Sequence, residues 1–176
     1  MVRPEDKTIL VVEDEPDVRI FLQTVLEDAG FNVMTAADGE EALQRIRERR
    51  PDFISLDLVL PRKSGHKLLI ELKRDKELAR IPTLIVTAHA RTELGKPQME
   101  EIFQKTALLG PGLYLEKPVK PRQYIRSVKR ALGIELTETD EDGTDMKQEI
   151  QTLLGTADPD ALARALAALK RDSTEG

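Results

Sequence analysis

Apolar positions along the chain switch repeatedly between two periods. TILVV (8–12) is a short unbroken apolar run, which predicts a buried strand. Pro16 then stands where a helix can begin, and Asp17 falls in its first turn, where the helix dipole favours a negative charge. Val18, Phe21, Leu22, Val25, Leu26 and Ala29 follow at helical spacing and predict one apolar face, stopped by Gly30. NVMTA (32–36) reads as a second strand, and Asp38-Gly39 as a turn before the helix EEALQRIRER. DFISLD (52–57) is the third strand, and a helix carrying Leu68, Leu69 and Leu72 follows Ser64-Gly65. PTLIVTA (82–88) and LYLE (113–116) are the fourth and fifth strands. A helix over 121–132, with Tyr124, Ile125, Val128 and Leu132 on one face, closes the unit.

Strands alternating with helices predict an α/β fold, a parallel sheet covered on both faces. After Gly133 the pattern changes. ELTETDEDGTD (135–145) carries Glu135, Glu138, Asp140, Glu141, Asp142 and Asp145 without a base, and reads as a solvated linker. Two short amphipathic helices are expected beyond it, over 145–154 and 158–170, the second with Asp158 and Pro159 at its start. The expected division is therefore 7–132 as the folded unit, 133–144 as acidic linker and 145–171 as a helical extension.

Composition narrows the classes. The 176 residues carry a net charge of −5 and show no basic stripe, which argues against a nucleic-acid partner. There is no cysteine, so disulfides and thiolate metal sites are excluded. No apolar stretch reaches the length of a membrane span and the charged N-terminus does not read as a signal peptide, so a cytoplasmic protein is expected.

In open parallel sheets chemistry collects at the carboxyl ends of the strands. Applied here, that rule gathers Glu13 and Asp14 after strand one, Asp57 after strand three, Thr87 at the end of strand four, and Lys117 with Pro118 after strand five. Crowded carboxylates repel unless a cation intervenes, and Mg²⁺ suits an all-oxygen site that leaves room for phosphate oxygens. A lysine and a hydroxyl add a fixed positive charge and a donor for a phosphoryl oxygen. The set fits phosphoryl transfer to a carboxylate nucleophile, Asp57.

The stretches ILVVEDEPDVR, SLDLVLPRKSG, LIVTAHA and YLEKPV together resemble the receiver domain of two-component response regulators, over roughly residues 7–132. The resemblance implies a flavodoxin-like fold, a five-stranded parallel sheet of order 2-1-3-4-5 with helices on both faces. It implies phosphorylation of Asp57 by a phosphohistidine on a sensor histidine kinase or histidine phosphotransfer protein. It implies a Mg²⁺ site made by Glu13, Asp14, Asp57 and the backbone carbonyl of Val59. Thr87 would close onto the phosphoryl group, Tyr114 would be the aromatic switch, and the Lys117–Pro118 bond would be cis. Val59 and His89 are candidate modulators of phosphoryl lifetime, and His66 is expected on an exposed helix start. No DNA-binding output domain is evident, so output through an unknown downstream protein is expected, from a monomer or weak homodimer.

Blander readings exist for each residue. Glu13-Asp14 could cap the following helix, Thr87 could be an ordinary strand residue, and Lys117 a surface lysine. A phosphorylation-independent docking module and a phosphohydrolase are the alternatives for the whole chain. Aspartyl-phosphate hydrolases usually carry a second acid two residues after the nucleophile. Here that position is Val59. The chain also departs from the family pattern between Thr87 and Lys117, where the 88–112 segment is longer than usual.

Overall fold

The computed structural model describes residues 1–88, 114–137 and 140. Five strands, β1 (Thr8–Val12), β2 (Asn32–Ala36), β3 (Phe53–Leu56), β4 (Thr83–Thr87) and β5 (Tyr114–Glu116), form one sheet of order β2-β1-β3-β4-β5. All four pairings are parallel, with Val12 opposite both Ala36 and Leu56, and Thr87 opposite Glu116. Among the described residues the helices are α1 (Pro16–Asp28), α2 (Gly39–Glu48), α3 (Gly65–Arg74) and α4 (Pro121–Ala131). Short 3-10 turns span Pro4–Asp6 and Leu78–Arg80. The expected fold class and strand order are both observed.

Alternation along the strands sends side chains to two separate cores. Leu10, Val12, Ile54, Leu56 and Ile85 pack with Ala42, Leu43 and Ile46 of α2 and with Leu68, Leu69 and Leu72 of α3. Ile9, Val11, Phe53, Leu84 and Val86 face the other way, against Leu22 and Leu26 of α1 and Tyr124, Ile125 and Val128 of α4. Each fully buried leucine or isoleucine contributes about 2 kcal/mol. Both sheet faces are thus covered, which is why β1, β3 and β4 are buried at every position and read as largely apolar runs.

Helix boundaries follow local chemistry. Asp38 caps α2, accepting from the N–H groups of Glu40 and Glu41 at 2.8 and 3.0 Å, and Ser64 caps α3 through Lys67 N. Gly30 ends the α1 connection at φ +90, a conformation glycine adopts without strain. The apolar face of α1 is narrower than its spacing predicts. Phe21 is 41% exposed and Ile20 59%, because the sheet contacts only the stripe that includes Leu22 and Leu26. His66 lies at the start of α3 as expected, but it is half-buried rather than exposed.

At the carboxyl end of α4 the chain turns at Gly133 (φ +66) and Ile134 joins the second core. Asp140 departs from the solvated run expected there, since only 9% of it is exposed. It accepts from Lys129 Nζ at 2.6 Å and from Thr137 N and Oγ1 at 2.8 and 2.7 Å. Burial pushes its carboxyl pKa up, but these donors outweigh burial and hold it below the ordinary 3.8. A carboxyl lowered in the fold stabilises above its unfolded value, and that contribution is lost as pH falls through the lowered one. Asp140→Asn is therefore expected to flatten the acid limb of the stability profile below about pH 4. Urea denaturation across that range would show it, and an identical slope in the variant would exclude the effect. The remaining expected features of the tail, the helices over 145–154 and 158–170, lie outside the described residues, as do His89 and most of the lengthened 88–112 segment.

Candidate phosphoacceptor site

The sheet ladder continues one residue past its strands and fixes the acids there. Glu13 N donates to Ala36 O at 3.0 Å, Asp57 N to Val12 O at 3.0 Å, and Lys117 N to Thr87 O at 3.0 Å. Each chemistry-bearing side chain thus leaves the sheet from a backbone held on its neighbour strand. Arg19 of α1 steadies the first loop by donating to the carbonyls of Glu13 and Asp14 at 2.8 and 3.2 Å. The α1 N-cap is Glu15, whose own side chain makes no capping hydrogen bond, and the Glu13 carboxylate reaches only the N–H of that residue, which donates to Glu13 Oε1 at 3.3 Å.

Three of the residues meet as a charge cluster. Lys117 Nζ lies 2.7 Å from Glu13 Oε2 and 2.8 Å from Asp57 Oδ2. Asp57 Oδ1 accepts from Val59 N at 3.0 Å. Glu13 is 1% exposed and Asp57 5%, so neither acid is a solvated turn residue. Burial pushes the Glu13 carboxyl up, and the adjacent Asp57 charge adds to the rise, against the pull of Lys117. Burial acts against the Lys117 charge, yet its bonds to Asp57 and Glu13 prevail and hold the ammonium above the ordinary lysine range. Buried charge clusters of this kind add little to stability compared with apolar packing, so stability does not explain it.

The acids also form a cation cradle. One carboxylate oxygen from each of Glu13, Asp14 and Asp57 lies within 4.8 Å of the others, with Asp14 exposed at the mouth. The donors are all oxygen, the chemistry of a hard divalent cation such as Mg²⁺, and the open side leaves room for water or phosphoryl ligands. Val59, whose carbonyl was expected to join the set, is 54% exposed on the loop directly after Asp57.

Thr87 and Tyr114 close the other flank. Thr87 is fully buried and its Oγ1 has no hydrogen-bond partner among the described residues. Its O–H is thus available as a donor. Tyr114, at the start of β5, is 51% exposed. Lys117–Pro118 is cis, as the resemblance implies.

A family model described as the response regulator receiver domain matches residues 9–129. The chain belongs to that family. This receiver is 37% identical over 129 residues to the alkaline phosphatase synthesis transcriptional regulatory protein PhoP of Bacillus subtilis (strain 168), covering 72% of the chain and 49% of PhoP. It therefore spans about half the length of that regulator. It is 36% identical to the polar-differentiation response regulator DivK of Brucella anthropi over 72% of the chain and 97% of DivK. Among solved structures it resembles the receiver domain of the sensor histidine kinase PA1611 from Pseudomonas aeruginosa PAO1, with TM-score 0.59 and 29% identity over 72% of the chain and 98% of that domain. In that structure a magnesium ion is coordinated in the active-site cleft. Receivers are signalling domains that bind Mg²⁺ at an acidic pocket and interact with histidine kinases or phosphotransfer proteins. Among the described residues, no helix is long and apolar enough to cross a membrane.

Other residues around the site were not singled out from the sequence. Asp38 is fully buried and ion-paired with Arg62, which has φ 58. Its signal in the sequence is an Asp-Gly pair that also reads as a simple turn. The Tyr124 hydroxyl and Ser55 Oγ are both buried without a hydrogen-bond partner among the described residues, and burial pushes the Tyr124 pKa well up. A serine inside the apolar run FISL was the only hint of this pair.

Proposed function

We propose that Asp57 is the phosphoacceptor of a two-component phosphorelay. The observation that carries this is Lys117 Nζ, set 2.7 and 2.8 Å from two buried carboxylates at the end of the sheet. A carboxylate oxygen of Asp57 attacks the phosphorus of a phosphohistidine on a sensor histidine kinase or histidine phosphotransfer protein. The O–P bond forms as the N–P bond breaks, and the imidazole leaves with the bonding pair. Glu13, Asp14, Asp57 and the Val59 carbonyl would hold Mg²⁺, which when bound supplies neutralisation of phosphoryl charge.

The other residues respond to the new group. Lys117 follows from the carboxylate to a phosphoryl oxygen. The Thr87 hydroxyl donates to a second oxygen and gains the partner it lacks. Tyr114 then turns inward from its exposed position behind Thr87. Charge and hydrogen bonding at the site change together, which biases a two-state surface. That surface is the 88–119 region, with the tail as a further element, and it is read by a downstream protein. The receiver occupies 7–132, the acidic linker 133–144 and the helical extension 145–171. The protein works in the cytoplasm as a monomer or weak homodimer, and it catalyses only its own phosphotransfer and dephosphorylation. Val59, in the position where a hydrolase would carry an acid, and His89 set how long the phosphoryl group survives.

Incubation with Mg²⁺ and acetyl phosphate, followed by intact mass measurement, tests the reading. One phosphoryl group per chain is expected, lost on addition of EDTA before the donor. Wild-type protein that remains unlabelled under these conditions would rule the phosphoacceptor reading out.

A further inference from the structure

We propose that Asp38 and Arg62 form a positioning latch for the loop between β3 and α3, and that the latch sets divalent-cation affinity without touching the ion. The inference rests on the metal-assisted reading of the site. That loop follows Asp57 and carries the Val59 carbonyl, so its placement decides whether the fourth oxygen reaches the cradle.

One anchor lies inside the loop and another ties its start to the first residue of α3. Val59 N donates to Asp57 Oδ1 at 3.0 Å, and Gly65 N donates to Leu58 O at 3.1 Å. The rest come from α2 and α3. Gly39 N donates to Lys63 O at 3.1 Å, and Lys63 Nζ donates to both oxygens of Glu71 at 2.8 and 2.9 Å. The approach of loop to helix is so close that a Cβ at Gly39 would sit 2.5 Å from Lys63 O.

Asp38 joins the two elements. Its Oδ1 is occupied by the first N–H groups of α2, at 2.8 and 3.0 Å. Serine or asparagine would cap as well, so capping alone does not require a fully buried carboxylate. The second oxygen, Oδ2, accepts from the Arg62 guanidinium. Arg62 holds φ 58, a left-handed conformation that non-glycine residues adopt only when something compensates. The Arg62 side chain is 66% exposed, so the ion pair contributes little to global stability. Its effect is positional: the charge on Asp38 holds the strained residue, and with it the loop, against the start of α2. Partners that orient a ligand residue commonly change metal affinity ten- to a hundredfold when removed.

Two variants separate this role from a structural one. Asp38→Asn keeps an oxygen for the cap and removes the charge. Arg62→Gly removes the guanidinium and relieves the left-handed strain, so folding is retained. Mg²⁺ affinity measured by isothermal titration calorimetry is expected to fall about tenfold in each. The double variant is expected to lose no more than either single one, because both break the same contact. In metal-free protein, amide exchange at positions 59, 60, 62 and 63 is expected to quicken in both, while Arg62→Gly keeps or raises the wild-type Tm. Wild-type Mg²⁺ affinity in both variants, beside a wild type that binds, would overturn the latch alone. A wild type that binds no Mg²⁺ would overturn the metal reading and the latch with it.

Discussion

Asp57→Asn is expected to yield a folded receiver that takes up no phosphoryl group. The amide has nearly the shape of the carboxylate, so the packing of β3 and Leu58 is undisturbed. What it lacks is the charge that makes the oxygen a nucleophile. Removing a nucleophile from an assembled site costs on the order of 10⁴-fold or more in rate, which is complete loss on the time scale of a labelling experiment. The substitution also leaves Lys117 with one carboxylate, Glu13, in place of two. The like-charge repulsion that helps hold the Glu13 carboxyl up is removed. The metal-free variant is therefore expected to match or exceed the wild-type Tm, since functional carboxylates are often held against stability. Intact mass with Mg²⁺ and acetyl phosphate reads the first outcome and a thermal melt the second. Equal labelling of variant and wild type would show that Asp57 is not the acceptor. Partner binding that survives the substitution unchanged would favour a docking module independent of phosphorylation.

Gly65→Ala has the largest expected effect on the fold. A Cβ at Gly65 would lie 2.1 Å from Asp57 O, 2.7 Å from Leu58 Cα and 3.0 Å from Asp57 C. All three are backbone atoms and none can rotate away, so α3 must back off or Asp57 must move. Either course strains the bond from Gly65 N to Leu58 O and disturbs the backbone that presents the nucleophile. Overpacking costs 1–3 kcal/mol where side chains can adjust, so about 3 kcal/mol or more is expected here. That corresponds to a fall in Tm of roughly 10 °C for a unit of this size. Gly133→Ala is the control. Its φ of +66 strains any side chain, but nothing lies within 4 Å of the added carbon. It is expected to cost only about 1–2 kcal/mol. A loss at Gly65 no larger than that at Gly133 would mean that a small shift of α3 relieves the close approach to Asp57, and that this approach does not make Gly65 necessary.

Much of the fold was legible because its determinants are local. TILVV, FISL and TLIVT declare strands buried on both faces, and the spacing of Leu68, Leu69 and Leu72 declares a helix face. The strand-end rule then brought Glu13, Asp14, Asp57, Thr87 and Lys117 to one edge, and the structure joins Lys117 to Glu13 and Asp57 there. Phe21 shows the limit of periodicity. It has the right spacing to be buried, but the width of the stripe that a sheet covers depends on how the helix is seated. Asp140 shows the limit of composition. A run of acids reads as solvated until a lysine on a neighbouring helix is found to take one of them.

By itself the sequence determined the order and type of the elements and the chemical kind of the site, because period, caps and residue classes act over a few neighbours. Only the tertiary structure decided which charges meet. Lys117 and Asp57 are 60 residues apart and Arg62 and Asp38 are 24 apart, yet each pair is in contact. Their separation in space is set by parallel strand order and by the seating of loops on helices. Neither leaves a mark in the spacing of residues along the chain. Thr87 and Tyr114 are named as a switch by the resemblance, but the burial of the Thr87 hydroxyl and the exposure of the Tyr114 ring are properties of the folded chain, where β4 and β5 lie side by side.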